Sequence, residues 1–254
     1  MTAVVAEHVR ATPGRALRAE WLKFGTLISN PLTVIVTFLL IAGLAVLLVW
    51  ARATESMTPT VTELLTGASW AQMLIAVLAV VFACSEWSSG LSQVTFLAVP
   101  TRWPVLLGKA VVMGVTAFFA GSLGAGAALI AGAIGGVDVA GDADLAVRLV
   151  LGAGAYLAGI AILVVGIGVM VRNLIAGILT VIGVIWVLPL AITLIPWEPL
   201  QRVVPYLPSP AGGLLIAAEN PVSELTPWAG GAVLFAWAIA VSIAAAFAVR
   251  SRDV

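Results

Sequence analysis

Charged residues are scarce in this sequence, and cysteine and histidine are nearly absent. Charged residues make up 9% of the 254 residues, against roughly 25% in a typical soluble domain. The single cysteine, Cys84, excludes an internal disulfide, and the single histidine, His8, lies far from it in the chain. These counts exclude a His/Cys metal cluster and a Cys–His nucleophile. The sequence therefore predicts no metal site and no bound cofactor.

The charged residues that are present all lie outside six long apolar windows. A charge at the centre of a bilayer costs about 2.5–3.5 kcal/mol or more, and each window can cross about 30 Å of hydrocarbon as a helix. Each window is also about twice as long as a barrel strand and shows no apolar/polar alternation. The sequence therefore predicts an all-α membrane protein with six transmembrane helices. The windows are 31–50, 64–85, 110–137, 149–171, 174–195 and 228–249.

The connections between the windows are short, so we predict that residues 1–254 form a single transmembrane domain. Glycines cluster in the third and fourth spans, where they allow helices to approach closely. Only Val171–Asn173 separates the fourth and fifth spans, which predicts antiparallel neighbours. Segment 196–227 is rich in proline and cannot be one helix; it is either a cap over a pathway or an interfacial anchor. The predicted spans are 31–50, 64–85, 105–136, 147–171, 174–195 and 228–249.

The distribution of basic residues predicts the orientation of the spans. With the N-terminus inside, nine of the twelve Lys and Arg residues fall in inner segments. The other three, Arg52, Arg148 and Arg202, fall in outer segments together with most of the acidic residues. Because basic residues accumulate on the cytoplasmic side, we expect both termini to be cytoplasmic.

Residues 13–29 are predicted to form an interfacial helix. Leu17, Trp21, Phe24 and Ile28 recur at helical spacing and form one apolar stripe. Such a helix lies in the headgroup plane of a membrane. We expect Asn30-Pro31 to end it. The charges that we expect mostly off the stripe are Arg15, Arg18, Glu20 and Lys23.

The segment between the second and third spans, 86–104, combines charge with a short apolar ridge. Glu86 and Arg102 flank Leu91, Val94 and Leu97, which are spaced as on one helix face. Charges at or near membrane depth must be solvated, paired or in contact with a partner. The pattern is compatible with a helix that docks into a partner protein and with an ordinary solvated loop.

Three motifs in this sequence resemble ABC-2 type transporter permeases. The run Glu86-x3-Gly90-x4-Thr95-x4-Pro100-x-Arg102-x6-Lys109 resembles the family signature after the second span. Glu20-Trp21-x-Lys23, followed by Pro31, resembles the N-terminal elbow, and 206–212 resembles the stretch before the last span. Leu91 departs from the pattern, because the family often has threonine there.

The resemblance implies a membrane-spanning permease subunit of an ATP-driven bacterial exporter in the cytoplasmic membrane. Two permease copies, identical or related, would form the translocation path, and separate ATPase subunits would bind ATP and Mg. A nucleic-acid partner is not expected. Carried over to this sequence, the ATPase-coupling residues are Glu86, Gly90, Thr95, Pro100, Arg102 and Lys109, and the elbow residues are Glu20, Trp21 and Lys23.

Other functions fit the sequence less well. A P-loop is absent, since Gly108-Lys109 is followed by alanine and lacks the earlier glycine, so we do not expect an enzyme. A secondary transporter or an intramembrane enzyme would normally place ionisable residues inside the spans. A non-transporting structural or regulatory membrane subunit remains an alternative. Phe118, Phe119 and Trp186 are candidates for an apolar substrate path, although such residues more often face lipid or pack between helices.

Overall fold

A computed structural model describes residues 13–55, 57–88, 103–138, 143–218 and 225–251. All regular elements in these ranges are helical. Six of the helical segments are long and apolar enough to cross a membrane. This confirms the prediction of an all-α chain with six helices suited to a bilayer.

The helices follow the predicted order, and their bounds differ from the predicted spans by a few residues. The first five are α1 (Pro13–Thr26), α2 (Ser29–Thr54), α3 (Val61–Leu64), α4 (Thr66–Ser88) and α5 (Trp103–Ile134). Next come α6 (Ala143–Val171), α7 (Leu174–Ile182), a π-helical turn (Gly183–Val187), α8 (Leu188–Thr193) and α9 (Glu198–Gln201). The last elements are a 3-10 turn (Val204–Tyr206), α10 (Pro208–Gly213), a second 3-10 turn (Leu214–Ile216) and α11 (Pro227–Ser251).

Helix α6 forms the centre of the bundle, with α4, α5 and α11 packed around it. In the most apolar stretch of α6, 72% of the residues are buried, compared with 17% in the most apolar stretch of α2. Close approach of α5 and α6 depends on glycine, because a Cβ on Gly121 would lie 2.7 Å from the Ala153 carbonyl oxygen. This contact confirms the predicted packing role of the glycines. Lipid gives helices no hydrophobic reason to associate, so their association depends on close packing of this kind.

The boundary between α1 and α2 differs from the predicted one. The break falls at Leu27 and Ile28, and α2 already begins at Ser29. Pro31 therefore lies in the first turn of α2, where a helix needs no N–H from it. Asn30 is buried, and its side-chain amide donates to the Phe24 carbonyl oxygen at 2.9 Å. The prediction that Asn30-Pro31 ends the first helix is wrong.

A two-residue link joins α6 to α7. Arg172 adopts a left-handed φ of 56°, and Asn173 caps α7 by accepting a hydrogen bond from the Ala176 N–H at 3.0 Å. Helices α6 and α7 pack against each other, and α7 also packs against α4. The prediction that the fourth and fifth spans are neighbours is confirmed.

The proline-rich segment folds back along α6, and residues 204–218 are called the folded-back segment below. It consists of short helical pieces, which confirms in its described part that 196–227 is not one helix. The Arg148 guanidinium donates to the Ala217 carbonyl oxygen at 2.9 Å. Gly152 faces Leu215, and Gly212 faces the Tyr156 ring. From Arg148 to Tyr156 the segment therefore follows α6 for roughly 12 Å, at about 1.5 Å per residue.

We predict that Gly152→Ala destabilises the protein by about 1–3 kcal/mol, the usual cost of overpacking. An added Cβ would collide with the Leu215 carbonyl oxygen, and a backbone atom in a packed turn cannot easily move away. Thermal unfolding in detergent should therefore show a lower midpoint. Gly126→Ala is the matched control, since a Cβ there meets nothing within 4 Å. Equal midpoints for the two variants would contradict the close packing described here.

Candidate functional site: a buried ion pair between the first helix and the third span

A buried ion pair joins α1 to the beginning of α5. The Lys109 Nζ lies 2.8 Å from the Glu20 Oε2, and both side chains are 2% exposed. The other carboxylate oxygen of Glu20 accepts a hydrogen bond from the Lys23 Nζ at 2.8 Å. Lys23 is 41% exposed, so it connects the buried pair to the surface. Both oxygens of the Glu20 carboxylate are therefore matched to a cation.

The face of α1 that packs against α5 carries Ala16, Glu20 and Phe24, which are spaced four residues apart and buried. This face lies beside the predicted apolar stripe and differs from it. Leu17, Trp21 and Ile28 of the stripe stay exposed. Glu20 lies off the stripe formed by Leu17, Trp21 and Ile28, yet it is buried, because Lys109 provides a partner inside the bundle. The helix at Pro13–Thr26 begins where predicted and ends three residues before the predicted end, and its placement in a headgroup plane stays a prediction.

Gly108 makes room for the ion pair. A Cβ on Gly108 would lie 3.1 Å from the Glu20 Cγ and 3.6 Å from the Leu17 Cα. The absent side chain therefore lets α1 approach α5 closely enough for the Glu20 carboxylate to reach Lys109. A larger residue at this position would push α1 away from α5.

Two aromatic rings surround the ion pair and bring in α4. The Lys109 Nζ lies 4.6 Å from the centroid of the Phe82 ring, a distance at which the face of an aromatic ring attracts a cation. Phe24 of α1 meets Phe82 edge to face, with centroids 5.5 Å apart. Together with the Asn30–Phe24 hydrogen bond, these contacts join α1, α2, α4 and α5. We call the cluster Glu20, Lys23, Phe24, Phe82, Gly108 and Lys109 the joint.

The Glu20 carboxylate of the joint is held by two ammonium groups. Among the described residues, no group of three or more His, Cys, Asp or Glu side chains could hold a metal ion. The joint is suited to fixing the relative positions of helices. A buried pair with both partners present is costly to break at one side, because an unpaired charge then stays inside the protein.

The joint lies at the base of the segment predicted to couple to an ATPase. Phe82 is six residues before the end of α4, and Lys109 is six residues after the start of α5, so both are about 9 Å from the helix ends. Glu86 lies in the last turn of α4, and its side chain is outside the described residues. Gly90, Thr95, Pro100 and Arg102 also lie outside the described residues. Lys109 is too buried to contact a partner directly, so any part that it has in coupling is indirect.

Of the residues proposed for a substrate path, Phe118 and Phe119 pack edge to face, with ring centroids 5.8 Å apart, whereas Trp186 lies on a different segment. Phe118 packs against Gly154 of α6, and Phe119 is 56% exposed on the outside of the bundle. Trp186 lies in the π-helical turn, which packs against α10. A separate apolar groove of about 650 Å³ lies between α5 and α6 and contains none of these three residues. It is lined by Gly126, Leu129, Ile130, Ala133, Ala143, Ala146, Val147, Val150 and Leu151.

Sequence reasoning missed the pairing of Glu20 with Lys109, as well as the parts played by Phe82, Gly108 and Asn30. A signal was available, because each charge of the pair stands among apolar residues. Glu20 falls four residues before Phe24 on one helix face, and Lys109 lies at the start of a span. Two such charges of opposite sign are candidates for a buried pair, although their separation of 89 residues gives no local pattern.

Comparison with protein-family models gives no match, and comparison with curated proteins gives none either.

We predict that Glu20→Gln and Lys109→Met each destabilise the protein by about 3–5 kcal/mol, because each removes one member of a buried ion pair. The double variant should recover most of the loss, since it contains neither charge. Thermal unfolding of the four proteins in detergent measures this coupling. Glu198→Gln is the control, because Glu198 forms an exposed pair with Arg202 at 77% exposure, and such pairs contribute little. Strictly additive losses in the double variant would show that the two side chains do not act as a pair.

Proposed function

We propose that this chain is the membrane-spanning permease subunit of an ATP-driven exporter, moved by separate ATPase subunits. The observation that carries the proposal is the buried Glu20–Lys109 pair, at 2.8 Å. This pair connects two segments that the family resemblance independently assigns to ATPase contact: the elbow at Glu20-Trp21-x-Lys23 and the loop that ends before Lys109. Their physical connection is what a coupling region requires.

The proposed mechanism treats the joint as a rigid lever. ATPase subunits that close on nucleotide would push on α1 and on the segment after α4. The joint fixes α1 to α5 through a desolvated pair, a glycine contact and two rings. A displacement applied to either segment therefore reaches α5 without being absorbed by a loose contact. It would shift an equilibrium between two packings of the bundle, which is how a bistable membrane protein responds to force.

We further propose that the end of the bundle that contains the joint faces the cytoplasm. The basic residues Arg15, Arg18 and Lys23 of α1 support this orientation, because basic residues accumulate on the cytoplasmic side. Exposed Leu17 and Trp21 next to these cations suit a helix lying in the headgroup plane. The folded-back segment would then lie towards the cell exterior. The protein would sit in a bacterial cytoplasmic membrane as a homodimer or with a related permease.

We predict that a separate ATPase chain co-purifies with a tagged copy expressed in its own host, and that Glu86→Lys reduces its recovery about tenfold or more. Reversing a charge at a protein interface commonly has an effect of this size. The readout is the ATPase band per amount of tagged chain after gentle solubilisation. The tagged chain freed of its ATPase should not hydrolyse ATP.

Glu198→Lys serves as the control, because Glu198 is exposed at the other end of the bundle, where an ATPase would not bind. Unchanged recovery with Glu86→Lys would contradict the coupling role of this residue. Complete absence of an ATPase would favour a structural subunit or a secondary transporter. Hydrolysis by the chain alone would contradict the whole proposal.

We predict that a cysteine at Ala140 reacts with a membrane-impermeant maleimide added to intact cells, whereas a cysteine at Gly14 reacts only after permeabilisation. Both would be placed in a Cys84→Ala background, since Cys84 is the native cysteine and is buried. A Cβ at Gly14 meets nothing within 4 Å, so the substitution is tolerated. The opposite labelling pattern would reverse the proposed orientation.

A further inference from the structure

The fifth membrane-suited segment is interrupted near its middle. Its helix changes to a π-helical turn at Gly183–Val187, in which the Leu188 N–H donates to the Gly183 carbonyl oxygen five residues earlier. Pro189 follows directly and has no N–H to give. Its ring would also crowd the preceding turn of a regular helix. Proline and π-helical turns are two of the recognised causes of bends in helices.

The parts on either side of the interruption pack against different partners. On one side, α7 lies against α4, where a Cβ on Gly177 would be 2.9 Å from a Val80 methyl. On the other side, α8 contacts the 204–206 turn and is followed by α9. Leu188 and Leu190 of α8 are 42% and 61% exposed. One part is therefore anchored to the core, and the other belongs with the folded-back segment.

A polar contact holds the folded-back segment against the core. The Ser209 hydroxyl donates to the Gln72 Oε1 at 3.0 Å, and Gly212, three residues later, packs against the Tyr156 ring. Gln72 is 4% exposed and Tyr156 is 1% exposed. Polar groups inside a membrane protein are expensive to leave without partners and commonly mark functional positions. Ser209 is the residue of the folded-back segment that gives the buried Gln72 side chain a partner.

We propose that the π-helical turn is a hinge and that the Ser209–Gln72 hydrogen bond is the latch that keeps α8 and the folded-back segment closed against the core. When the latch opens, the hinge lets α8 bend away from the line of α7. Gln72 and Tyr156 then become accessible at this end of the bundle. The inference rests on the geometry of the isolated chain and does not require an ATPase or transport.

The hinge can be tested by measuring the distance between spin labels on its two sides. The labels would be placed at Ile175→Cys and Leu190→Cys in a Cys84→Ala background, since both positions are exposed. In a straight helix these residues would be about 22 Å apart. In lipid nanodiscs we expect a main distance and a minor second one. Ser209→Ala should raise the ratio of the population at the second distance to that at the first about three- to tenfold. This is the range expected for one lost hydrogen bond.

Four further variants test the latch and the hinge separately. Gln72→Leu should produce the same change as Ser209→Ala, and the double variant should produce no more than either alone, because all three remove the same hydrogen bond. Pro189→Ala should lower the population of the second distance, because it restores an N–H to the helix. Gly183→Ala should act in the same direction, since its Cβ meets nothing within 4 Å and alanine restricts the backbone.

The matched control is Ser242→Ala, which removes a buried hydroxyl that has no hydrogen-bond partner among the described residues. It should leave the distance distribution unchanged. A single distance that is the same in the unmodified chain, Ser209→Ala and Gln72→Leu would overturn the latch. A second distance that persists unchanged in both Pro189→Ala and Gly183→Ala would overturn the hinge. Failure of ATPase co-purification would leave this result untouched, so the two proposals fail separately.

Discussion

The ion pair between Glu20 and Lys109 is the constraint on which the arrangement of this end of the bundle depends. A carboxylate and an ammonium group at 2% exposure are not there for stability alone, because well-packed apolar residues of similar size often serve as well. What the pair adds is a requirement for one relative position of α1 and α5. Gly108 permits that position, and Phe82 and Asn30 bring α4 and α2 to it. Helix α1 is thereby fixed to the core of the bundle.

The rest of the bundle is held by a different balance of forces. Lipid tails are as apolar as leucine side chains, so helices in a membrane gain little from burying apolar surface against each other. Close contacts at Gly121 and Gly152 provide van der Waals attraction, and a few polar contacts determine position. Arg148 holds the end of the folded-back segment, and Ser209 holds its middle. A small number of such contacts can therefore determine which of two packings is favoured.

The sequence predicts the six helices well, because charge excluded from a bilayer leaves long windows that local reading can find. It also predicts that 196–227 is not one helix, since proline breaks a helix through its own local geometry. It fails where the determining contact is distant in the chain. Glu20 and Lys109 are 89 residues apart, and Gln72 and Ser209 are 137 residues apart, so neither pair leaves a periodic signal. The end of α1 at Thr26 is not predicted, because Pro31 is compatible both with the break before a helix and with the first turn of one. The predicted coupling residues between 89 and 102 remain predictions.

The stiff and the compliant parts of the chain occupy different helices, and this division bears on how the two ends could communicate. Helices α5 and α6 are long, regular and interlocked through glycine, so a movement imposed on α5 at the joint must be shared by α6. The fifth segment is interrupted by a π-helical turn and Pro189 and is little buried, so it can bend where α5 and α6 cannot. Tyr156 of the stiff part packs against Gly212 of the folded-back segment, and the latch joins the same segment to Gln72 of α4. Coupling between distant sites requires an element with two discrete arrangements that both sites influence. If the π-helical turn is a hinge as proposed, the contact between α6 and the folded-back segment is such an element, because one side is tied to the joint and the other side adjoins the hinge.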